Sequence, residues 1–158
     1  MSIRLKNLYK LLIENRKHEV QGWNKAYKNF YSQVEKIRER IKAGEALSNN
    51  DEGFLRELLY DLDNGVASRG QSVLSKDNFQ SFIKNTDFLS ALEILIVNPN
   101  QENYQSFRKI WCDQGKSNNP VIINRVVSAC TLNVSTTVDS GKFDQVFNWL
   151  MHEKIIPI

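Results

Sequence analysis

Proline, glycine and long apolar runs are all scarce in this chain of 158 residues. It contains three Pro and seven Gly, fewer than a protein with many turns between short strands uses, so long helices are favoured. Apolar stretches are only a few residues long, such as Ile94–Val97, whereas a membrane-spanning helix needs roughly 20. We therefore expect a helical protein that does not cross a membrane.

Cysteine and histidine are equally scarce, with two of each. Cys112 and Cys130 have no Cys or His partner at metal-ligand spacing, and two cysteines are too few for a disulfide framework. His18 and His152 belong to no recognisable catalytic set. The start, MSIRLKNLYK, lacks the apolar segment and cleavage site of a secretory signal. We expect a cytoplasmic protein with no metal and no other cofactor.

The residues that are present suit a globular domain. Hydrophobic residues make up 41% and charged residues 25% of the chain, and its length is that of one domain. Along most of the sequence, segments whose apolar residues recur at helical spacing follow one another, and many of them begin after a residue that can cap a helix. They predict one compact all-α domain over 1–158, with a basic helical segment (1–43) and a helical core (44–158), about six to eight helices and at most one short strand, near 132–138.

One apolar stripe is clearer than any other pattern. After a first helix over 2–18, which Gly22 either breaks or only loosens, apolar side chains over 23–42 recur at spacings of 4, 3, 4, 3 and 4. They are Trp23, Tyr27, Phe30, Val34, Ile37 and Ile41. At 100° per residue all six lie within about 40° of one line. A core stripe is the simpler interpretation, and a dimeric coiled coil over three repeats is the alternative.

Further helix starts follow the linker 44–49 (GEALSN). We expect Asn50 to cap a helix that ends at Asn64-Gly65, and Ser75 to cap the next one. A helix starting at Thr86 or Asp87 should end before Asn98-Pro99.

Three more helices complete the prediction. Asn100 is expected to cap one, and Pro120 to open a buried helix whose only charge is Arg125. Asp139 should cap the last.

Charge is unevenly distributed. Residues 1–43 hold eleven Lys or Arg and four Glu, a balance of +7, whereas 44–65 have a balance of −5 and 66–158 of +1. Lys25, Lys28 and Lys36 lie opposite the apolar stripe, with Arg40 beside them. Such a face can contact phosphates. The alternative is a solvated helix face whose charge the acidic segment balances.

A small polar loop over 64–75 is a second candidate. Arg69 and Gln71 flank Gly70 between two predicted helices, and both side chain types can bind base edges or phosphates. The alternative is a structural connector whose polar groups form hydrogen bonds with the free backbone groups at the ends of the neighbouring helices.

Enzymatic motifs are not supported. Gly115-Lys116-Ser117 resembles the end of a phosphate-binding P-loop, but Ile110 stands where the loop needs another Gly. Glu57, Asp61 and Asp63 fit a solvated acidic helix face. We expect a non-catalytic domain.

Two stretches add a resemblance. YDLDNGVASRGQSVLS (60–75) and NPVIINRVVSACTLNVSTTVDSGKFDQVFNWL (119–150) resemble the region ahead of the GTPase module in McrB-type subunits of modification-dependent restriction systems. The resemblance covers about a third of the chain and implies a non-catalytic N-terminal domain of a defence protein. It further implies recognition of modified DNA, a partner nuclease subunit and a GTPase module beyond residue 158. The apolar tail HEKIIPI, which has no cap, agrees with that expectation.

Two functions remain open at this point. The first is a module that binds double-stranded DNA, modified or unmodified, through Lys25, Lys28, Lys36 and Arg40, with Arg69 and Gln71 contacting bases. The second is a helical protein-interaction domain that uses the apolar stripe or the 120–150 region and binds no nucleic acid.

Overall fold

A computed structural model describes residues 17–61, 73–115 and 120–131. A few isolated helical positions are also described: Lys6, Asn7, Lys10, Glu14, Asn148, Met151 and His152. The chain divides into two compact units, one of 25–136 and one of 1–24 with 137–158. All contacts given below lie within the larger unit. The prediction of a single domain over 1–158 stays a prediction.

Within the described ranges the protein is helical and contains no strand, which confirms the all-α prediction. Residues 17–61, 73–115 and 120–131 form six α-helices and one short 3-10 helix, Asn49–Asp51. The α-helices are α1 (Lys17–Lys42), α2 (Glu52–Leu59), α3 (Lys76–Ile83), α4 (Thr86–Val97), α5 (Gln101–Asp113) and α6 (Pro120–Cys130).

Helix α1 is continuous through Gly22, so this glycine does not break it. Its apolar stripe faces the core of the larger unit: Phe30, Val34 and Ile37 are buried, and Ile41 packs partly buried against them. Because Phe30, Val34 and Ile37 are covered by the protein's own helices, this part of the stripe belongs to the core and is not free to form a coiled coil. The side chain of Trp23 lies outside the described residues.

The segment after α1 differs from the prediction at both ends of α2. Ser48, not Asn50, is the N-cap: it forms a capping box with Asp51 and starts a 3-10 turn that leads into α2. The helix ends at Leu59 rather than at Asn64-Gly65, because the Arg56 carbonyl accepts hydrogen bonds from the amides of both Tyr60 and Asp61.

The next caps agree with the sequence. Ser75 accepts a hydrogen bond from the amide of Asn78 at the start of α3, and Asn100 accepts one from Asn103 at the start of α5. Helix α4 begins at Thr86, with Asn85 as its N-cap, and ends at Val97. Pro120 is the first residue of α6. Gly115 takes a φ of +62°, the left-handed conformation that commonly stops a helix, directly after α5.

An aromatic cluster forms the centre of the core. Phe82 of α3, Phe88 of α4, and Phe107 and Trp111 of α5 are fully buried, with ring centroids 4.6–5.8 Å apart. Contact of Phe88, near the start of α4, with Trp111, near the end of α5, makes these two helices antiparallel. Their short connection through Asn98-Pro99-Asn100 fits that arrangement.

Candidate nucleic-acid interface

The exposed side of α1 carries the basic residues that the sequence assigned to it. Lys25, Lys28 and Lys36 are exposed, opposite the buried Phe30 and Val34. An α-helix rises 1.5 Å per residue, so these lysines extend over roughly 16 Å of one helix side.

Two neutral polar residues, Asn29 and Ser32, lie among them and are also exposed. At 100° per residue the five side chains fall within an arc of about 100°. We call this set (Lys25, Lys28, Asn29, Ser32 and Lys36) the lysine face.

Between Lys25 and Lys36 the arc of the lysine face contains no acidic residue, although Glu35 lies at its edge and the exposed Glu39 lies within it one turn beyond Lys36. The three lysines take part in none of the ion pairs found among the described residues. By contrast, Lys42 lies 2.9 Å from the carboxylate of Glu39. The three lysines therefore keep their charge available at the surface.

Arg40 has a different environment from the lysines. Its Nε donates to Glu45 at 2.9 Å and its Nη1 to Asp51 at 2.7 Å. Hydrogen bonding to Asp51, and then to Glu45, raises the pKa of the Arg40 guanidinium. Because Asp51 also closes the capping box, Arg40 joins α1 to the start of α2. The acidic segment therefore neutralises Arg40, as the alternative interpretation of the charge pattern proposed, but not the three lysines.

Arg38 is a partly buried basic residue of α1 that the sequence analysis did not single out. Its Nε donates to the carbonyl of Ile96 at 2.6 Å and its Nη2 to the carbonyl of Cys130 at 2.7 Å, while its Nη1 pairs with Glu35. Burial lowers the pKa of Arg38, but hydrogen bonds with Tyr31 and Glu35 outweigh this effect and raise it. Arg38 follows Ile37 at the edge of the apolar stripe, and this position could have indicated that its side chain contacts the protein interior.

Arg125 is buried as the sequence predicted, with 2% of its surface exposed. Its Nη2 donates to the carbonyl of Leu58 near the end of α2. Burial lowers the pKa of Arg125 to about 10, so the guanidinium stays charged at neutral pH. Arg125 therefore stabilises the contact between α6 and α2 from inside the protein.

The second group of predicted site residues, Arg69 and Gln71, lies outside the described residues. The described flanks of that segment are joined, since the amide of Leu74 donates to the carbonyl of Leu59 at 3.0 Å. Leu59 and Leu74, which flank the segment, are thus adjacent in the larger unit. The assignment of Arg69 and Gln71 stays a prediction.

The protein-interaction hypothesis has less surface available than the sequence offered it. Phe30, Val34 and Ile37 of the α1 stripe are buried, and α6 is buried along nearly its whole length from Ile122 to Cys130. Nearly all of the remainder of the 120–150 region lies outside the described residues, so its proposed role stays a prediction. An apolar groove of about 310 Å³ between α4 and α5 is accessible at the surface, unlike the buried faces of α1 and α6. Ile94, which lines this groove, is 54% exposed.

Cysteine and metal chemistry find no support in the described part of the chain. Cys112 is partly exposed and Cys130 is buried, and burial raises the pKa of the Cys130 thiol to about 12. Within the described ranges there is no group of three or more His, Cys, Asp or Glu that could hold a metal ion.

Comparison with known proteins adds no relative. No protein-family model, curated protein or solved structure matches this chain. The resemblance of 60–75 and 119–150 to the McrB-type family stays a prediction. None of the helices in the described ranges combines the length and the apolar character that a bilayer crossing requires.

Proposed function

We propose that this protein is a DNA-binding module that contacts the phosphate backbone of duplex DNA through Lys25, Lys28 and Lys36. The observation that carries the proposal is the lysine face: three exposed lysines on one side of one helix, none of which is ion-paired among the described residues. Phosphate contacts dominate affinity for DNA and are made mainly by Lys and Arg. Arg40, which is held by Glu45 and Asp51, is left out of the proposed interface.

The position of the lysines supports this function over a general solvated surface. Helix α1 is fixed in the larger unit by Phe30, Val34 and Ile37, so the lysine face is presented without exposing the core. Arg38, on the same helix, is used inside the protein to bond two carbonyls. Among the described side chains of α1, the basic residues therefore separate into two arginines that bond other parts of the protein and lysines at the surface.

Recognition of modified DNA within a restriction system is a finer proposal, and the resemblance of 60–75 and 119–150 is its support. In that form of the proposal, Arg69 and Gln71 contact bases and a nuclease subunit is a partner of the full-length protein. A helical protein-interaction domain is the second candidate function, favoured by the exposed Ile94 beside the apolar groove between α4 and α5.

Binding of a labelled duplex of random sequence at several salt concentrations tests the proposal. Log affinity should fall linearly with log salt, and Lys28→Ala with Lys36→Ala should reduce the magnitude of the slope by about 2. The matched control is Lys84→Ala with Lys109→Ala, which removes the same charge from exposed positions outside α1. All variants must keep the wild-type urea midpoint.

The results separate the two candidates. Equal loss in both double variants would show that net charge rather than the lysine face matters. If the wild-type protein does not bind DNA at low salt, the proposal is wrong and the interaction-domain candidate replaces it.

A further inference from the structure

Two residues of the lysine face, Asn29 and Ser32, do not contribute to the stability of α1 in any way that the structure shows. Asn29 and Ser32 lie in the middle of the helix, exposed, and no hydrogen bond joins either side chain to another described residue. Both types favour caps and turns and are weaker helix formers than Ala, Lys or Glu. Elsewhere in the larger unit, Asn85, Asn100, Ser48 and Ser75 do serve as caps.

Their position relative to the lysines suggests a use. Lys28 and Lys36 are eight residues apart, which is roughly 12 Å along the helix axis. Along the helix axis, Asn29 and Ser32 lie between these two lysines, and around the axis they fall within the arc of about 100° that defines the lysine face. The major groove of B-form DNA is roughly 12 Å wide and admits an α-helix about as thick as α1 with its side chains.

We propose that α1 enters the major groove with its lysine face, where Lys28 and Lys36 contact phosphates and Asn29 and Ser32 contact base edges. This inference rests on the proposed function and deepens it by naming residues that determine specificity. The Asn29 amide carries one acceptor and two donors, so it can pair with N6 and N7 of adenine in the major groove. The Ser32 hydroxyl donates or accepts and therefore adds a contact of lower selectivity.

The partner is therefore duplex DNA with adenine at the position that faces Asn29. The neutral amide and hydroxyl bring no charge, so they contribute little to the salt dependence of binding. This property separates their role from that of the lysines, because phosphate contacts position a protein whereas base contacts specify the sequence.

Selection from a pool of duplexes with a randomised centre tests the inference. The bound fraction is sequenced for the wild-type protein, for Asn29→Ala, and for Gln105→Ala, which removes an exposed amide from the middle of α5. We expect the wild type and Gln105→Ala to enrich an adenine-containing motif. Asn29→Ala should reduce that enrichment by about tenfold and leave the salt slope unchanged.

Each result has a definite meaning. Salt-dependent binding without enrichment by the wild type, or unchanged enrichment by Asn29→Ala, overturns the inference and leaves the proposed function intact. Absence of binding by the wild type overturns the proposed function itself. Folding does not confuse the comparison, because replacing an exposed mid-helix Asn by Ala favours the helix.

Discussion

The guanidinium of Arg38 donates a hydrogen bond to the carbonyl of Cys130, 2.7 Å away at the last residue of α6. The same guanidinium bonds the carbonyl of Ile96 near the end of α4. The last carbonyls of a helix have no partner within it, and a cation at that end also interacts favourably with the helix dipole. One side chain of α1 thus stabilises the ends of two other helices.

We predict that Arg38→Met lowers the free energy of unfolding by about 2–4 kcal/mol, because two partly buried carbonyls lose a charged donor. Arg38→Lys should recover only part of this loss, since a single ammonium lacks the planar fork that reaches both carbonyls. Urea denaturation measures the effect. Lys36→Met, on the exposed side of the same helix, is the control and should stay within about 0.5 kcal/mol of wild type. Equal midpoints for Arg38→Met and this control would contradict the assigned role.

Phe30→Ala should destabilise the protein by about 3–5 kcal/mol, as large-to-small substitutions in a core do. Phe30 is 1% exposed and stacks on Phe54 with ring centroids 5.6 Å apart, so the substitution removes contacts between α1 and α2. Thermal or urea unfolding measures the loss, with the neighbouring Asn29→Ala as a control on the exposed side. A midpoint equal to that of the control would mean that the stripe is not packed in solution.

The two cysteines should differ in reactivity. The thiolate is the reactive form, and Cys130 is buried with a pKa raised to about 12, whereas Cys112 is partly exposed. Brief treatment of the native protein with iodoacetamide, followed by peptide mass spectrometry, should show alkylation of Cys112 well before Cys130. In denaturant the difference should disappear. Faster modification of Cys130 in the native protein would show that the end of α6 is open.

Stability should depend on the ionisation of Glu35. A hydrogen bond from Tyr31, and then the pairing with Arg38, hold the pKa of Glu35 below its ordinary value of 4.5, against the opposing effect of burial. A carboxyl whose pKa is lower in the folded state stabilises the protein above its unfolded-state pKa, and this contribution disappears as pH falls through the folded-state pKa.

Glu35→Gln should therefore be less stable than wild type near pH 7, and the difference in unfolding free energy should shrink as pH falls through the lowered pKa of Glu35. Urea titrations at several pH values measure it. Glu102→Gln, on the exposed start of α5, gives the effect of removing one carboxylate elsewhere. A difference that grows on acidification would contradict the assigned cause.

The sequence by itself determined which side of α1 is buried and where α3 and α5 begin, although it misplaced both ends of α2. The heptad spacing of Phe30, Val34 and Ile37 determines which side of α1 is buried, because a helix repeats its faces every 3.6 residues. Ser75 and Asn100 cap α3 and α5 because a side-chain oxygen placed before the first turn accepts a free backbone amide. The same periodicity places Lys25, Lys28 and Lys36 on the opposite, exposed side.

Only the tertiary structure decided which charges are used inside the molecule. Arg38 and Arg40 are two residues apart on α1, yet one bonds the ends of α4 and α6 while the other bonds Glu45 and Asp51. Those partners lie up to 92 residues away in sequence, and periodicity carries no information about which element will pack there. Local spacing thus determined which faces of α1 are exposed, whereas long-range packing decided which of its basic residues remain free for a partner.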